Sequence, residues 1–307
     1  MSALKSTTDL SKATVISNTK PRDINYNYRK YLYSTYKGYE KIAQSKIVVC
    51  LCCRNMGWNV DNVFTILEVL HKLFKKLSVL IYENDSTDDT KEEITEKICN
   101  NVRSDDPIDI TFTTETLDFI QHKEKVHQQR FINMASVRNK NFDVVKEKYR
   151  DYDYMMVMDT DLSMISIDGI ASSFGFKNWD MISANGLDSY LKYAPNERAI
   201  YYDIMSLIEE GSNRPCNRVH EAYPPHTGLI KVKSAYGGLA IYRICPELLE
   251  CKYEINKFED DKHDETDPDY NDKIYGDEHV GLCLQMAQKG LNRLYINTSM
   301  LLLRSSI

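Results

Sequence analysis

Short apolar runs, each stopped by a polar cluster, recur along the first half of the chain. IVVCLCC at 47–53 is an unbroken apolar run of strand length, ended by Arg54, Asn55 and Gly57. A central strand buried on both faces has this pattern. Over 59–75, Val60, Val63, Phe64, Leu67, Leu70 and Phe74 recur at helical spacing and define one buried stripe. LSVLIYEND at 77–85 predicts a second strand, and the acidic turn ENDSTDDT suits the start of a helix over 91–99. Strand, helix, strand, helix in this order predicts an α/β fold with a mostly parallel central sheet. A third strand is expected around 108–112 and a long helix over 121–149. MMVMDTD at 155–161 then reads as a buried strand closing on two acids.

Beyond residue 165 the pattern is mixed. DMISANG at 180–186 reads as a strand, and YYDIMSLIEEG at 201–211 as part of an acceptor-side region. The 211–230 piece, with Pro215, Pro224, Pro225, His220 and His226, reads as an irregular loop of the kind that forms lids. VKSAYGGLAIYR at 232–243 reads as a turn through Gly237 and Gly238 into a strand. Residues 257–272 read as a solvated acidic insertion, followed by a helix over 277–289 and a strand at 294–297. At the other end, 1–24 reads as a disordered polar N-terminus, and the tyrosines of 25–40 as a packing arm rather than a sugar-stacking platform. With no internal repeat or long linker, 25–307 is expected to form a single domain. Its nucleotide-sugar-binding half would be 46–165 and its acceptor-side half 166–307.

Bulk composition narrows the function classes. The 307 residues are 42% hydrophobic and 27% charged, the balance of a folded globular chain. A net charge of -6 argues against broad nucleic-acid binding but leaves room for a single nucleotide. The eight cysteines are scattered, apart from Cys50, Cys52 and Cys53 on one apolar strand, and read as a reduced set in a cytoplasmic or cytosol-facing, soluble protein. No stretch approaches the roughly 20 apolar residues of a membrane span, so any membrane contact is expected to be peripheral.

The chemistry centres on Asp159 and Asp161. Two carboxylates flanking one residue at the tip of an apolar strand can share Mg²⁺ or Mn²⁺, an ion that accepts oxygen ligands and offsets charge on a departing diphosphate. Ligands of parallel sheets gather at the carboxyl ends of strands. There the sequence also places Arg54, and Glu83 to Asp85, as candidates for phosphate and for base or ribose. Arg130 and Arg138, eight residues apart on the long helix, are further candidates for phosphate. Glu278 opens a helix and is a candidate for sugar hydroxyls or the acceptor proton; His279 beside it suits either the metal or the acceptor. Asp277 fits a helix cap. The strings for a dinucleotide-binding glycine loop, a phosphate-binding P-loop and a serine-hydrolase elbow are all missing.

Taken together, IVVCLCCRN, VLIYENDSTDDT, INMASVRN, MMVMDTDL, ISANG with YYDIMSL, VKSAYGGLAIYR and GDEHVGLCLQMAQKGLNRLYIN resemble the fungal capsule-associated α-1,3-mannosyltransferase family, of the cryptococcal mannosyltransferase type, over roughly 46–300. That resemblance implies a GT-A fold, with a Rossmann-like nucleotide-binding half fused to an acceptor-binding half. It implies transfer of mannose from GDP-mannose with retention. Asp159 and Asp161 would be its metal and diphosphate motif, and Arg138-Asn139 its donor-side pair. Tyr202-Asp203 and the stretch holding Tyr236, Gly237 and Gly238 would line the sugar and acceptor region, and Glu278-His279 would be its late Glu-His pair. Asp277 stands where the family favours cysteine and Thr298 where it favours proline, which leaves GDP- and UDP-linked donors both open. The expectation is a metal-dependent hexosyltransferase acting on a glycan or glycosylated acceptor, with Asp203 and Glu278 as candidate catalytic carboxylates. A sugar-phosphate nucleotidylyltransferase and an inactive sugar-nucleotide-binding protein are the alternatives.

Overall fold

A computed structural model describes residues 21–120, 128–188, 199–216, 220–258 and 274–305. Helix α1 (Pro21–Ile42) is followed by β1 (Lys46–Cys53), α2 (Val60–Leu73), β2 (Lys76–Asn84), α3 (Thr90–Val102) and β3 (Asp109–Glu115). Next come α4 (Gln128–Lys148), β4 (Tyr154–Met158), β5 (Leu162–Ile165), α5 (Ile167–Gly175) and β6 (Met181–Asp188). The remainder comprises β7 (Ile200–Tyr201), β8 (Ile208–Glu209), β9 (Leu229–Ser234), β10 (Leu239–Arg243), α6 (Pro246–Leu249), β11 (Asn256–Phe258), β12 (Ile274–Gly276), α7 (Glu278–Gln288) and β13 (Leu294–Arg304). Residues 1–20 of the terminus expected to be disordered, the start of the 121–149 helix and most of the acidic insertion lie outside the described residues, whereas 21–24 open α1. Among the described residues, no helix is long and apolar enough to cross a membrane.

The main sheet runs β3-β2-β1-β4-β10-β6-β13-β9-β8. β3, β2, β1 and β4 are parallel, and β6 with β13 continues their direction beyond β10. The central sheet of this α/β fold is therefore mostly parallel. β10 is the exception at its centre, antiparallel to both β4 and β6. That insertion matters to the site, because an antiparallel strand brings its starting end, Gly238-Leu239, beside the finishing end of β4.

Alternation along β1 feeds two core layers. Ile47, Val49 and Leu51 join Val63, Leu67 and Leu70 of α2 on one face, whereas Val48 and Cys50 join Phe142 of α4 and Leu282 of α7 on the other. Cys50 and Cys53 are buried, and all eight cysteines are free.

The tyrosine-rich segment forms α1, an arm packed on α5 as expected, although part of its tyrosine series stays outside that contact. Small residues make the close contact. A Cβ on Gly38 would lie 1.7 Å from the Ala171 carbonyl oxygen, and one on Gly175 would lie 1.9 Å from that of Ser34. Tyr28, Tyr33 and Tyr36 remain exposed. Tyr39 reaches α5 by its hydroxyl, bonding Asp168 at 2.6 Å. The irregular piece is also tied down where it is described. Ala222 N donates to Ala199 O at 2.9 Å, and Tyr223 N to Asn185 Oδ1 at 3.1 Å.

Candidate active site

β4 ends at Met158, and Asp159, Thr160 and Asp161 follow at its carboxyl end, at the floor of a cleft of about 860 Å³. The main chain of Asp159 is fixed by its N–H, which donates to Gly238 O at 2.9 Å. Gly237 and Gly238 have φ of +61° and +85°, the left-handed region that glycine enters freely. A Cβ on Gly237 would meet the Ala184 carbonyl oxygen at 2.4 Å. The glycine pair thus stands behind the cleft wall, where it supports Asp159 and turns Tyr236 inward.

Asp159 is held from three sides. Its Oδ1 accepts from Tyr236 Oη at 2.8 Å and from Arg138 Nη2 at 3.2 Å, and its Oδ2 accepts from Tyr202 Oη at 3.2 Å. Asp161 accepts from Arg304 Nε at 2.7 Å, and the Arg304 guanidinium lies 5.0 Å from the centre of the Tyr202 ring. Burial and the nearby Asp159 carboxylate both push the Asp161 pKa up from the usual carboxylate range. Among the described residues, no group of three or more His, Cys, Asp or Glu side chains is arranged to hold a metal. The donor set nevertheless fits one kind of ion. Mg²⁺ and Mn²⁺ take hard oxygens, and Mg²⁺ is ordinarily held by one or two carboxylates, with water and substrate phosphates completing its shell. Two mutually repelling carboxylates, 19% and 32% exposed at the side chain, meet that need.

Arg138 links Asp159 to Glu278. It is buried on α4; its Nε donates to Glu278 Oε1 at 2.7 Å, and its guanidinium lies 4.9 Å from the centre of the Tyr236 ring. His279 stacks on the same Tyr236 ring, with centroids 3.6 Å apart and planes 14° from parallel. Both of its ring nitrogens are buried without a hydrogen-bond partner. Burial, then the Arg138 charge, hold its pKa well below the usual histidine value. The structure therefore does not gather His279 with the two aspartates into a ligand group; its ring lies against Tyr236, and burial disfavours its charged form.

Asp203 and Tyr202 also line the cleft, as do Arg54 and Arg130. Arg130 and Arg138 both reach it, although Arg138 is buried and Arg130 exposed. Asp203 adopts a left-handed backbone, φ +67°, and the Ser206 hydroxyl bonds its Oδ2. Burial pushes the Asp203 pKa up to about 7, with Asp159 and Glu278 adding to the rise.

Three sequence candidates take supporting positions. Glu83 is fully buried, where its carboxylate accepts from Ser86 N at 2.8 Å and Thr114 Oγ1 at 2.5 Å. Asp85 accepts from the main-chain N–H groups of Leu117, Asp118 and Phe119 at 2.7, 3.0 and 3.3 Å. Burial raises the Asp85 pKa, but hydrogen bonds from Asn84 and these amides outweigh it and hold the group below its usual range. Asn139 spends both ends of its amide on the main chain of Tyr253, each at 2.8 Å. These three brace the walls and present no free group to the cleft.

What Asp85 braces is a second recess. Arg54 Nη2 donates to Phe119 O at 3.2 Å, so the 117–119 segment closes over a space of about 300 Å³ lined by Cys53, Arg54, Asn84, Phe119 and Met134. Arg304 is the cleft residue that sequence reasoning missed. The signal available was the apolar run continuing past 297 to an arginine at the end of the same strand.

No family model matches the sequence, and no curated protein matches it either. Among solved structures the chain is similar to a mannosyltransferase, PcManGT from Pyrobaculum calidifontis, in complex with GDP-Man and Mn²⁺ (12% identity over 92% of this chain and 66% of that one, TM-score 0.46). It is also similar to S. aureus TarS 1–349 in complex with UDP-GlcNAc (11% identity, 85% and 59% covered, TM-score 0.44). A third is a putative UDP-N-acetylglucosamine pyrophosphorylase from Entamoeba histolytica (12% identity, 89% and 78% covered, TM-score 0.38). The chain spans less than two thirds of the length of the first two, 66% and 59%.

Proposed function

We propose that this chain is a metal-dependent glycosyltransferase. It moves a hexose, mannose or a related sugar, from a GDP- or UDP-linked donor to a hydroxyl of a glycan acceptor. The observation that carries this reading is the pair Asp159 and Asp161 at the tip of β4, flanked in one cleft by Arg138 and Arg304. Such a floor suits a diphosphate, which needs cationic donors on its oxygens and a counter-ion where its charge grows. Asp159 and Asp161 would hold Mg²⁺ or Mn²⁺, and the ion supplies Lewis-acid relief of the leaving diphosphate.

The chain's own residues perform the remaining work. Arg304 and Arg138 offer guanidinium donors at the same floor, and Tyr202 and Tyr236 fix the rotamer of Asp159. The recess beneath the 117–119 segment opens beside Arg54 and suits a flat base. Asp203 and Glu278, which line the same cleft, suit the sugar and the acceptor hydroxyl. The sequence resemblance adds mannose and retention of configuration to this reading. It is tested by calorimetry with GDP and UDP, with and without Mn²⁺. Binding that requires the ion and disappears in Asp161→Ala supports it. Equal binding by wild type and variant would remove the two aspartates from the donor site.

A further inference from the structure

The Ser206 hydroxyl lies between two carboxylates: its Oγ contacts Asp203 Oδ2 on one side and Asp277 Oδ2 on the other. A hydroxyl has one hydrogen to donate. Two ionised carboxylates cannot both be satisfied by it, so this row of three oxygens is complete only when one acid holds a further proton. Burial favours Asp277 as its holder, against the capping amides, which favour the charged form. Asp277 is 5% exposed, and its Oδ1 accepts from His279 N at 3.1 Å and Val280 N at 3.2 Å as the cap of α7. Asp203 is half-buried in the cleft lining, and its Oδ1 has no hydrogen-bond partner among the described residues. Beside them is His279, 1% exposed, whose two ring nitrogens also lack partners.

We propose that Asp277 is a neutral positioning residue that donates through the Ser206 hydroxyl to Asp203, leaving Asp203 Oδ1 to accept the hydrogen bond of the attacking acceptor hydroxyl. The substrate in this inference rests on the glycosyl-transfer reading; the proton count does not. Both acids are shifted towards their protonated forms. Burial, then the Asp203 and Glu278 charges, push Asp277 well above the usual carboxylate range, while Asp203 rises to about 7. Both acids line the cleft, and Asp277 is the less exposed of the two, so burial disfavours its charged form more. The groups that act on Asp203 are Asp159 and Glu278, which raise it, and Arg138 and Ser206, which lower it. The phenols of Tyr201 and Tyr202 also feel its charge and are raised well above their usual value, chiefly by burial.

The test is a ¹³C NMR titration of aspartate side chains in the free protein, with Asp203→Asn identifying the resonance. In Ser206→Ala the Asp203 midpoint is expected to move up by about one unit, because a hydrogen bond to the charged form is lost. Ser206→Thr, which keeps the hydroxyl, restores it. In Asp277→Asn the midpoint stays within about half a unit of wild type, since one neutral donor replaces another. A midpoint unmoved in Ser206→Ala, or lowered by more than about one unit in Asp277→Asn, would overturn the proposal, the second by showing that Asp277 was charged. The acid limb of kcat/KM for the acceptor should follow the same order across the variants. Turnover absent with every nucleotide sugar would retire the transfer reading, while the NMR midpoints would still decide the shared proton.

Discussion

Arg138 Nε and Glu278 Oε1 meet at 2.7 Å across 140 residues of sequence, with both side chains buried. The contact joins α4 to the first residue of α7 and sets Arg138 between Glu278 and Asp159. A guanidinium in that position has two tasks that separate experimentally: it holds two elements together, and it supplies donors to the cleft.

Replacing Arg138 with methionine leaves Glu278 buried without its partner, and the expected loss of stability is about 3–5 kcal/mol. Urea unfolding measures it. Arg138→Lys keeps the charge but loses the planar fork, so nucleoside diphosphate affinity with Mn²⁺ should fall while most of the stability returns. Equal affinity in the lysine variant and wild type would leave Arg138 with the structural task alone.

Stability should depend on pH through Asp203. Its folded pKa is raised to about 7, mainly by burial. An unfolded aspartate releases its proton near pH ~4. Between these values the folded state binds the extra proton, so stability falls as pH rises through the window. Asp203→Asn removes that loss, and asparagine tolerates the left-handed backbone found there. The variant should be more stable than wild type at pH 8, by on the order of 2 kcal/mol, and nearly equal to it at pH 4. Parallel melting curves at the two pH values would contradict the burial of an ionisable Asp203.

The α1–α5 contact predicts a purely structural effect. Gly175→Ala places a methyl 1.9 Å from the Ser34 carbonyl oxygen, and overpacking of this kind costs about 1–3 kcal/mol. A lowered Tm with unchanged nucleotide binding is expected. An unchanged Tm would mean that α1 does not sit on α5 at this distance.

Much of this fold was legible in the sequence where burial and periodicity coincide. β1, β2 and β4 are apolar runs, and α2 has a single stripe. α5 was missed because it is only nine residues long and carries Gly169, Ser172, Ser173 and Gly175, residues that read locally as loop. The antiparallel entry of β10 has no local signal either; it follows from where the chain must return. At the site, an acid following a strand reads the same whether it faces a ligand or is sealed. Asp159 and Asp161 face the cleft, Glu83 is enclosed by Ser86 and Thr114, and only tertiary contacts separate the cases. His279 shows the same limit: a histidine near a helix start is equally consistent with a ligand and with a stacked, neutral ring.

The most direct measurement is release of nucleoside diphosphate from a panel of GDP- and UDP-linked sugars, with and without Mn²⁺ and a glycan acceptor. For at least one donor, release should require the ion, stop with chelator, increase with acceptor and be nearly abolished in Asp161→Ala, whose circular dichroism should match wild type. Release of pyrophosphate from a nucleoside triphosphate and a sugar phosphate, or release of nucleoside diphosphate that is indifferent to both the ion and Asp161, would contradict metal-dependent glycosyl transfer at this cleft.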